Sequence, residues 1–215
     1  EADYWSDLNN RNSMGLHSES SFSSVWPEIV WFFCNTPAKK GGETTLCDGV
    51  QLWKILPARI KLYFLKQPIK YSIEIQLPKI KNIKRKGNQE WITNTLGVSG
   101  YVDLEEQKAY LEVLRYAMYK VENLDSYAFT NHLIADNHNE PQIKNISMAS
   151  GEAIPNEYIK IIKEKSFEII YEHNWKKNDL LMIDNKRFMH GRKGFAKNSH
   201  RDLLTIQTER SAFKV

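Results

Sequence analysis

Apolar residues fall mostly into short blocks and alternating runs, with helical spacing in only a few places, so the chain reads as strands carrying a small number of helices. Ile29-Val30-Trp31-Phe32-Phe33-Cys34 is an apolar and aromatic block ended by Asn35-Thr36-Pro37, the pattern of a strand buried on both faces. Gly41-Gly42 then predicts a turn. Leu52, Ile55 and Leu56 recur at helical spacing behind Asp48 as a cap, Pro57 suits the first turn of a second short helix, and Tyr71 to Gln76 alternates as a strand does. Asp103-Leu104-Glu105-Glu106 has capping-box spacing ahead of Tyr110, Leu111, Leu114, Met118 and Val121, which predicts an amphipathic helix. A further helix is expected after Pro155 through Tyr158, Ile161 and Ile162, followed by strand chemistry over Phe167 to Tyr171. Leu180 to Ile183 reads as a buried strand ending at Asp184-Asn185, and Leu203 to Thr208 as another. Strands in both halves with a few surface helices fit a mainly β, α+β sandwich or barrel carrying insertions better than a βαβ array.

Composition narrows the class. In 215 residues, 30 Lys and Arg against 26 Asp and Glu leave a net charge of +4, too small for nucleic acid to be the expected partner. A hydrophobic share of 41% supports one substantial core, so one domain over residues 1–215 is expected. Cys34 and Cys47 form no metal-ribbon or disulfide framework, which points to a reducing, cytoplasmic setting. No apolar run approaches the ~18–20 residues of a membrane span. The chain opens on Glu1 rather than Met, and a missing N-terminal portion is expected.

Candidate chemistry sits near the two ends. In an extended segment, His17 and Glu19 project to one side and bring an imidazole and a carboxylate together. The strand at Leu180 to Ile183 precedes His190-Gly191-Arg192, and Arg201 follows eleven residues after His190. Two imidazoles and one carboxylate on one face of a metal, with other positions open, is the donor set of non-haem Fe(II) oxygenases. An arginine on the next strand offers a planar, two-pronged donor to a carboxylate.

These residues resemble the taurine dioxygenase (TauD/TfdA-like) family of Fe(II)- and 2-oxoglutarate-dependent oxygenases, especially its natural-product (antibiotic) biosynthesis branch and the related γ-butyrobetaine hydroxylases. The resemblance rests on Leu16-His17-Ser18-Glu19-Ser20-Ser21-Phe22-Ser23, on Pro27-Glu28 with the aromatic strand, on Pro37 and Gly41-Gly42-Glu43-Thr44-Thr45-Leu46-Cys47-Asp48, and on Asp184-Asn185 with His190-Gly191-Arg192 and Arg201. It implies that His17, Glu19 and His190 are the iron ligands and the catalytic centre. It further implies that Arg201 pairs with the distal carboxylate of 2-oxoglutarate and that the Thr44 hydroxyl bonds to the same cosubstrate. The implied fold is a double-stranded β-helix, a cupin-like jelly-roll barrel with the metal at its mouth. The implied reaction consumes O2 and 2-oxoglutarate, releases succinate and CO2, and hydroxylates or otherwise oxidises an unactivated C–H bond. Glu19 stands where many relatives carry Asp and where halogenating members carry a small residue, which argues for oxygen chemistry.

The expected substrate is a small amino-acid-like molecule, free or tethered to an acidic carrier protein. The basic run Lys79, Lys81, Lys84, Arg85 and Lys86 is a candidate docking patch for such a carrier, or a solvated loop. Arg192 is expected to form a salt bridge or to meet a carboxylate of substrate or cosubstrate. Asn185 is expected to orient the loop bearing His190 or to serve as a turn residue. His132, His138, His173 and His200 lack motif partners and are expected in surface or hydrogen-bonded roles, with His138 the one spare metal candidate. Trp26, Trp31 and Trp53 are expected in packing roles. Two rival readings stand beside the oxygenase: a non-catalytic jelly-roll binding module, and a zinc-dependent isomerase or hydrolase. The intact set His17, Glu19, His190, Arg201 and Thr44 weighs against the first, and Arg201 and Thr44 weigh against the second.

Overall fold

The structure is a computed structural model and describes residues 13–23, 25–78, 89–95, 97–121, 124–135, 142–196 and 198–209. The first part of the chain forms β1 (Met14–His17), β2 (Ile29–Thr36), β3 (Thr44–Asp48), α1 (Gly49–Ile55), α2 (Ala58–Lys66) and β4 (Ile69–Gln76). The middle forms β5 (Gln89–Thr95), β6 (Val98–Asp103), β7 (Lys108–Arg115), β8 (Met118–Lys120), β9 (Tyr127–Phe129) and β10 (Ile143–Met148). The last part forms α3 (Asn156–Phe167), β11 (Tyr171–His173), β12 (Leu180–Asp184), β13 (Phe188–Arg192) and β14 (Asp202–Thr208).

Every strand pairing is antiparallel among the described residues, in sheets ordered β1-β13-β3-β11, β12-β2-β14 and β10-β4-β7-β6-β5, with β8-β9 as a separate ribbon. The first two sheets face one another: the Phe32 ring of β2 lies 5.3 Å from the His190 ring of β13. This is the mainly β, α+β arrangement of a double-stranded β-helix, with α1 to α3 and the five-stranded sheet added around it. The apolar core joins Leu16, Cys47 and Met189 to Leu52 and Trp53 of α1, Ile60 and Phe64 of α2, Tyr71 and Val113 of the large sheet, and Ile162 of α3. Trp53 is buried as expected of a packing residue.

Both helices expected after Asp48 form where the pattern places them. The Asp48 carboxylate accepts from Val50 N at 2.9 Å and caps α1, while Pro57 immediately precedes α2. The helix after Pro155 also forms, but it continues through Phe167, and the strand begins only at Tyr171.

Two expectations are corrected. The amphipathic helix expected from Asp103 to Val121 is instead a β6–β7 hairpin followed by β8. Asp103 Oδ1 accepts from Glu105 N and Glu106 N, but those bonds close the hairpin tip, where Gln107 has φ +55°. Positions 110, 114 and 118 are an even number apart, so they satisfy a period of two as well as helical spacing. Cross-strand packing, such as Tyr101 stacked on Tyr110 at 5.0 Å, decides between them. The second correction concerns β12, which is buried on one face only. Ile183 is enclosed, whereas Leu180 and Met182 are exposed, as are Leu204 and Ile206 of β14. In register these flank Phe33 and Trp31, making an apolar outer face on the three-stranded sheet.

Candidate functional site

The antiparallel pairing of β1 with β13 sets His17 directly opposite His190, 173 residues later in the chain. Their rings lie 4.4 Å apart. Glu19 follows in the turn after β1, where Ser20 takes φ +53°, and its Oε2 stands 3.7 Å from His17 Nε2 and 3.6 Å from His190 Nε2. One donor atom from each of the three lies within 4.8 Å of the others. Both imidazoles are buried, and Glu19 is partly open.

Protonation follows from the surroundings. His17 Nδ1 lies 2.9 Å from the Gly15 carbonyl, which can only accept, so that nitrogen carries a hydrogen and Nε2 is the ring nitrogen turned toward Glu19. Burial, with the nearby His17, pushes the His190 imidazole down to about 4, so it is neutral at pH 7. Hydrogen bonding to His17 and then His190 holds the Glu19 carboxyl well below the usual carboxylate range despite burial. The centre is thus an anion between imidazoles.

The residues fit a divalent metal. Donors about 2.1 Å from a shared centre stand about 3–3.6 Å apart, close to the 3.7 and 3.6 Å from Glu19 Oε2 to the two imidazoles. His190 Nδ1 has no hydrogen-bond partner among the described residues, and the ring is held by packing against Phe32 and His17. Two imidazole nitrogens and one carboxylate oxygen are the donors of the facial Fe(II) set.

Asn185 is a residue of the β12–β13 turn, as one of its two expected roles had it, and its side chain holds the segment that carries Glu19. Its Oδ1 accepts from Glu19 N at 2.8 Å, and its Nδ2 donates to the carbonyls of Glu19 at 3.0 Å and Pro27 at 2.8 Å. The Ser18 hydroxyl donates to the Asn185 carbonyl at 2.7 Å, and Trp26 Nε1 donates to Ser18 Oγ at 2.8 Å. Asn185 is fully buried, so this small polar network fixes the backbone between two donor residues.

Thr44 opens β3 and is paired with Arg192 on one side and His173 on the other. Because β13 pairs His190 with Leu46 and Arg192 with Thr44, the strand alternation puts His190, Arg192 and Thr44 on one sheet face. Arg201 reaches the same neighbourhood from the residue before β14, with Nε donating to the Gly42 carbonyl at 3.0 Å. Gly42 has φ +79°, and a Cβ there would sit 3.0 Å from Arg201 Cδ, so this glycine makes the approach possible. Burial and the nearby Arg192 lower the Arg201 guanidinium to about 10, still charged at pH 7. Two guanidinium groups, the buried Thr44 hydroxyl and the Phe32 ring therefore border the space beside His190.

His132, expected in a surface or hydrogen-bonded role, is instead buried, with its ring 5.2 Å from His17 and 4.8 Å from Phe22 and neither ring nitrogen hydrogen-bonded among the described residues. Burial pushes it down to about 3. No local spacing signals it, because β8 and β9 bring it there. Sequence reasoning overlooked Trp175: its Nε1 donates to Thr44 Oγ1 at 2.9 Å. His173 lies 3.4 Å from Asp179, His200 is exposed, and His138 and the basic run Lys79 to Lys86 lie outside the described residues.

Residues 3–207 match the family described as "Taurine catabolism dioxygenase TauD, TfdA family". Two curated relatives are the dapdiamide synthesis protein DdaC of Enterobacter agglomerans, 23% identical over 200 residues, and the 3-((Z)-2-isocyanoethenyl)-1H-indole synthase of Fischerella ambigua, 25% identical over 193. The alignments cover 83% and 89% of this chain and 61% of each relative, so the chain spans about three fifths of their length. Among solved structures, AAD-2 in complex with Mn(II) and N-oxalylglycine has a TM-score of 0.59 at 18% identity, covering 90% of this chain and 67% of that one.

Proposed function

This chain belongs to the TauD/TfdA family of Fe(II)- and 2-oxoglutarate-dependent dioxygenases, and on that premise we propose that it oxidises, by hydroxylation, an unactivated C–H bond of a small amino-acid-like substrate. The observation that carries the reading is the convergence of His17, Glu19 and His190, whose donor atoms lie within 4.8 Å of one another. His17, Glu19 and His190 would hold the iron. When bound, ferrous iron supplies the redox chemistry that couples decarboxylation of 2-oxoglutarate by O2, giving succinate and CO2, to oxidation of the substrate.

The protein's own residues do the positioning. The Gly15 carbonyl, bonded to His17 Nδ1, turns Nε2 toward the metal position, and burial keeps His190 neutral. Asn185 fixes the backbone from which Glu19 extends. Arg201 offers its guanidinium to the distal carboxylate of 2-oxoglutarate, and the Thr44 hydroxyl donates to the same group. Phe32 packs edge-on against His190 and walls the space beside it. Arg192, on the same strand face as His190, supplies a second cation for a substrate carboxylate. Relatives named for dapdiamide and isocyanoethenyl-indole synthesis support a place in specialised metabolism, with the substrate free or tethered to an acidic carrier protein.

Anaerobic addition of Fe(II) and 2-oxoglutarate should produce the weak visible charge-transfer band of the chelate. His17→Ala and His190→Ala should each abolish it. If both variants kept the band unchanged, the ligand assignment would be wrong. Succinate release screened over free amino acids, betaines and carrier-bound acyl groups should then identify the substrate class.

A further inference from the structure

We propose that Trp175 is a positioning residue for 2-oxoglutarate and acts through the Thr44 hydroxyl; the proposal rests on the oxygenase reading above. An indole N–H can only donate, so the 2.9 Å contact from Trp175 Nε1 to Thr44 Oγ1 has one direction. It occupies one acceptor site of the hydroxyl and leaves the hydroxyl hydrogen to be donated elsewhere. A buried threonine without such a donor can rotate and satisfy itself on a neighbouring carbonyl. With the donor in place, the hydroxyl is biased toward giving its hydrogen to an incoming carboxylate, and its oxygen is polarised by the bond it accepts.

The rest of the fold holds the indole in this position. β11 pairs His173 with Thr44, and Trp175 lies two residues beyond that pair, so strand register sets its reach. The His173 ring packs edge-on against the indole at 4.4 Å, and Phe32 contacts it at 6.5 Å from the opposite sheet. Phe32 also touches His190, so one aromatic cluster connects the candidate metal position with the Thr44 pocket. Thr44 is itself buried, which places the relay out of water, where an uncompensated donor is costly.

The test is a double-mutant cycle read by calorimetric binding of 2-oxoglutarate to the Mn(II)-loaded protein, with Trp175→Phe, Thr44→Val and the double variant. Trp175→Phe keeps an aromatic ring and removes only the donor; its dissociation constant should rise about three- to tenfold, the range of one net hydrogen bond. In the Thr44→Val background the same change should cost nothing further, and in the Thr44→Ser background, which keeps the hydroxyl, the full effect should return. Multiplicative effects in the double variant, or wild-type affinity in Trp175→Phe, would overturn the relay. Matching thermal midpoints for the Phe and wild-type proteins separate positioning from simple loss of folding. If the wild-type protein takes up Mn(II) but no 2-oxoglutarate, or if Arg201→Ala binds it as wild type does, the oxygenase reading itself fails and the relay falls with it.

Discussion

At the scale of single residues, Asn185 and His132 carry consequences that differ in kind. Asn185→Ala strands the buried Glu19 N–H and Pro27 carbonyl, which should cost about 2–4 kcal/mol in urea denaturation. The same variant should weaken Mn(II) binding about 10- to 100-fold, as loss of a group supporting a ligand does. Unchanged metal affinity would show that the clamp serves folding alone. His132 reports on pH. Its folded value of about 3 lies below the unfolded value of about 6.5, so between these limits the unfolded chain binds the extra proton. Stability from this group is therefore complete above pH 6.5 and is lost as pH falls toward 3. Acidification from pH 7 to 5 should remove about 2 kcal/mol through His132, and His132→Phe should flatten that part of the stability profile. A profile identical in both proteins would refute the assignment.

Among the elements, α1 gives the cleanest test, because Asp48 does two jobs at its start. Oδ1 accepts from Val50 N and from Arg187 Nε at 3.1 Å, while Oδ2 accepts from Arg187 Nη2 at 2.6 Å. Asp48→Ala should cost about 2 kcal/mol, combining a lost cap with a partly solvent-screened ion pair. Asp48→Asn keeps the cap and should cost about half as much by chemical denaturation; equal losses would mean that the cap contributes little. The cap was legible because it is local: an Asp directly before helical spacing. The same logic misread Asp103, since a side chain accepting from residues two and three ahead closes a hairpin tip as readily as it caps a helix. Only the pairing of β7 with β4 and β6 settles which structure forms, and that information lies 30 or more residues away in β4. Strands at Ile29, Tyr71 and Leu203 were readable from their own composition. The exposure of Leu180 and Met182 was not, because an apolar run does not say which of its faces another sheet will cover.

Across the whole molecule, the candidate centre ties the two ends of the chain together, since β1 reaches the rest of its sheet through β13 alone. The three donors could be picked out in the sequence because each sits in a short motif. Asn185, His132 and Trp175 could be assigned roles only from the fold, since their partners lie 166, 115 and 131 residues away at Glu19, His17 and Thr44. A metal seated on His17, Glu19 and His190 binds the folded chain and has no comparable site in the unfolded one. By linkage, Mn(II) at about 100 times its dissociation constant should add about 2.7 kcal/mol of stability. For a chain of this size that corresponds to a rise of about 5–11 °C in thermal midpoint. Glu19→Ala should fold, because the carboxylate is partly open and makes no backbone bond that the Asn185 clamp requires, yet it should lose most of the shift. An equal shift in Glu19→Ala and wild type would place the metal elsewhere. Loss of the shift in the variant, with its metal-free midpoint unchanged, would make the metal-dependent stabilisation a direct property of the ligand set.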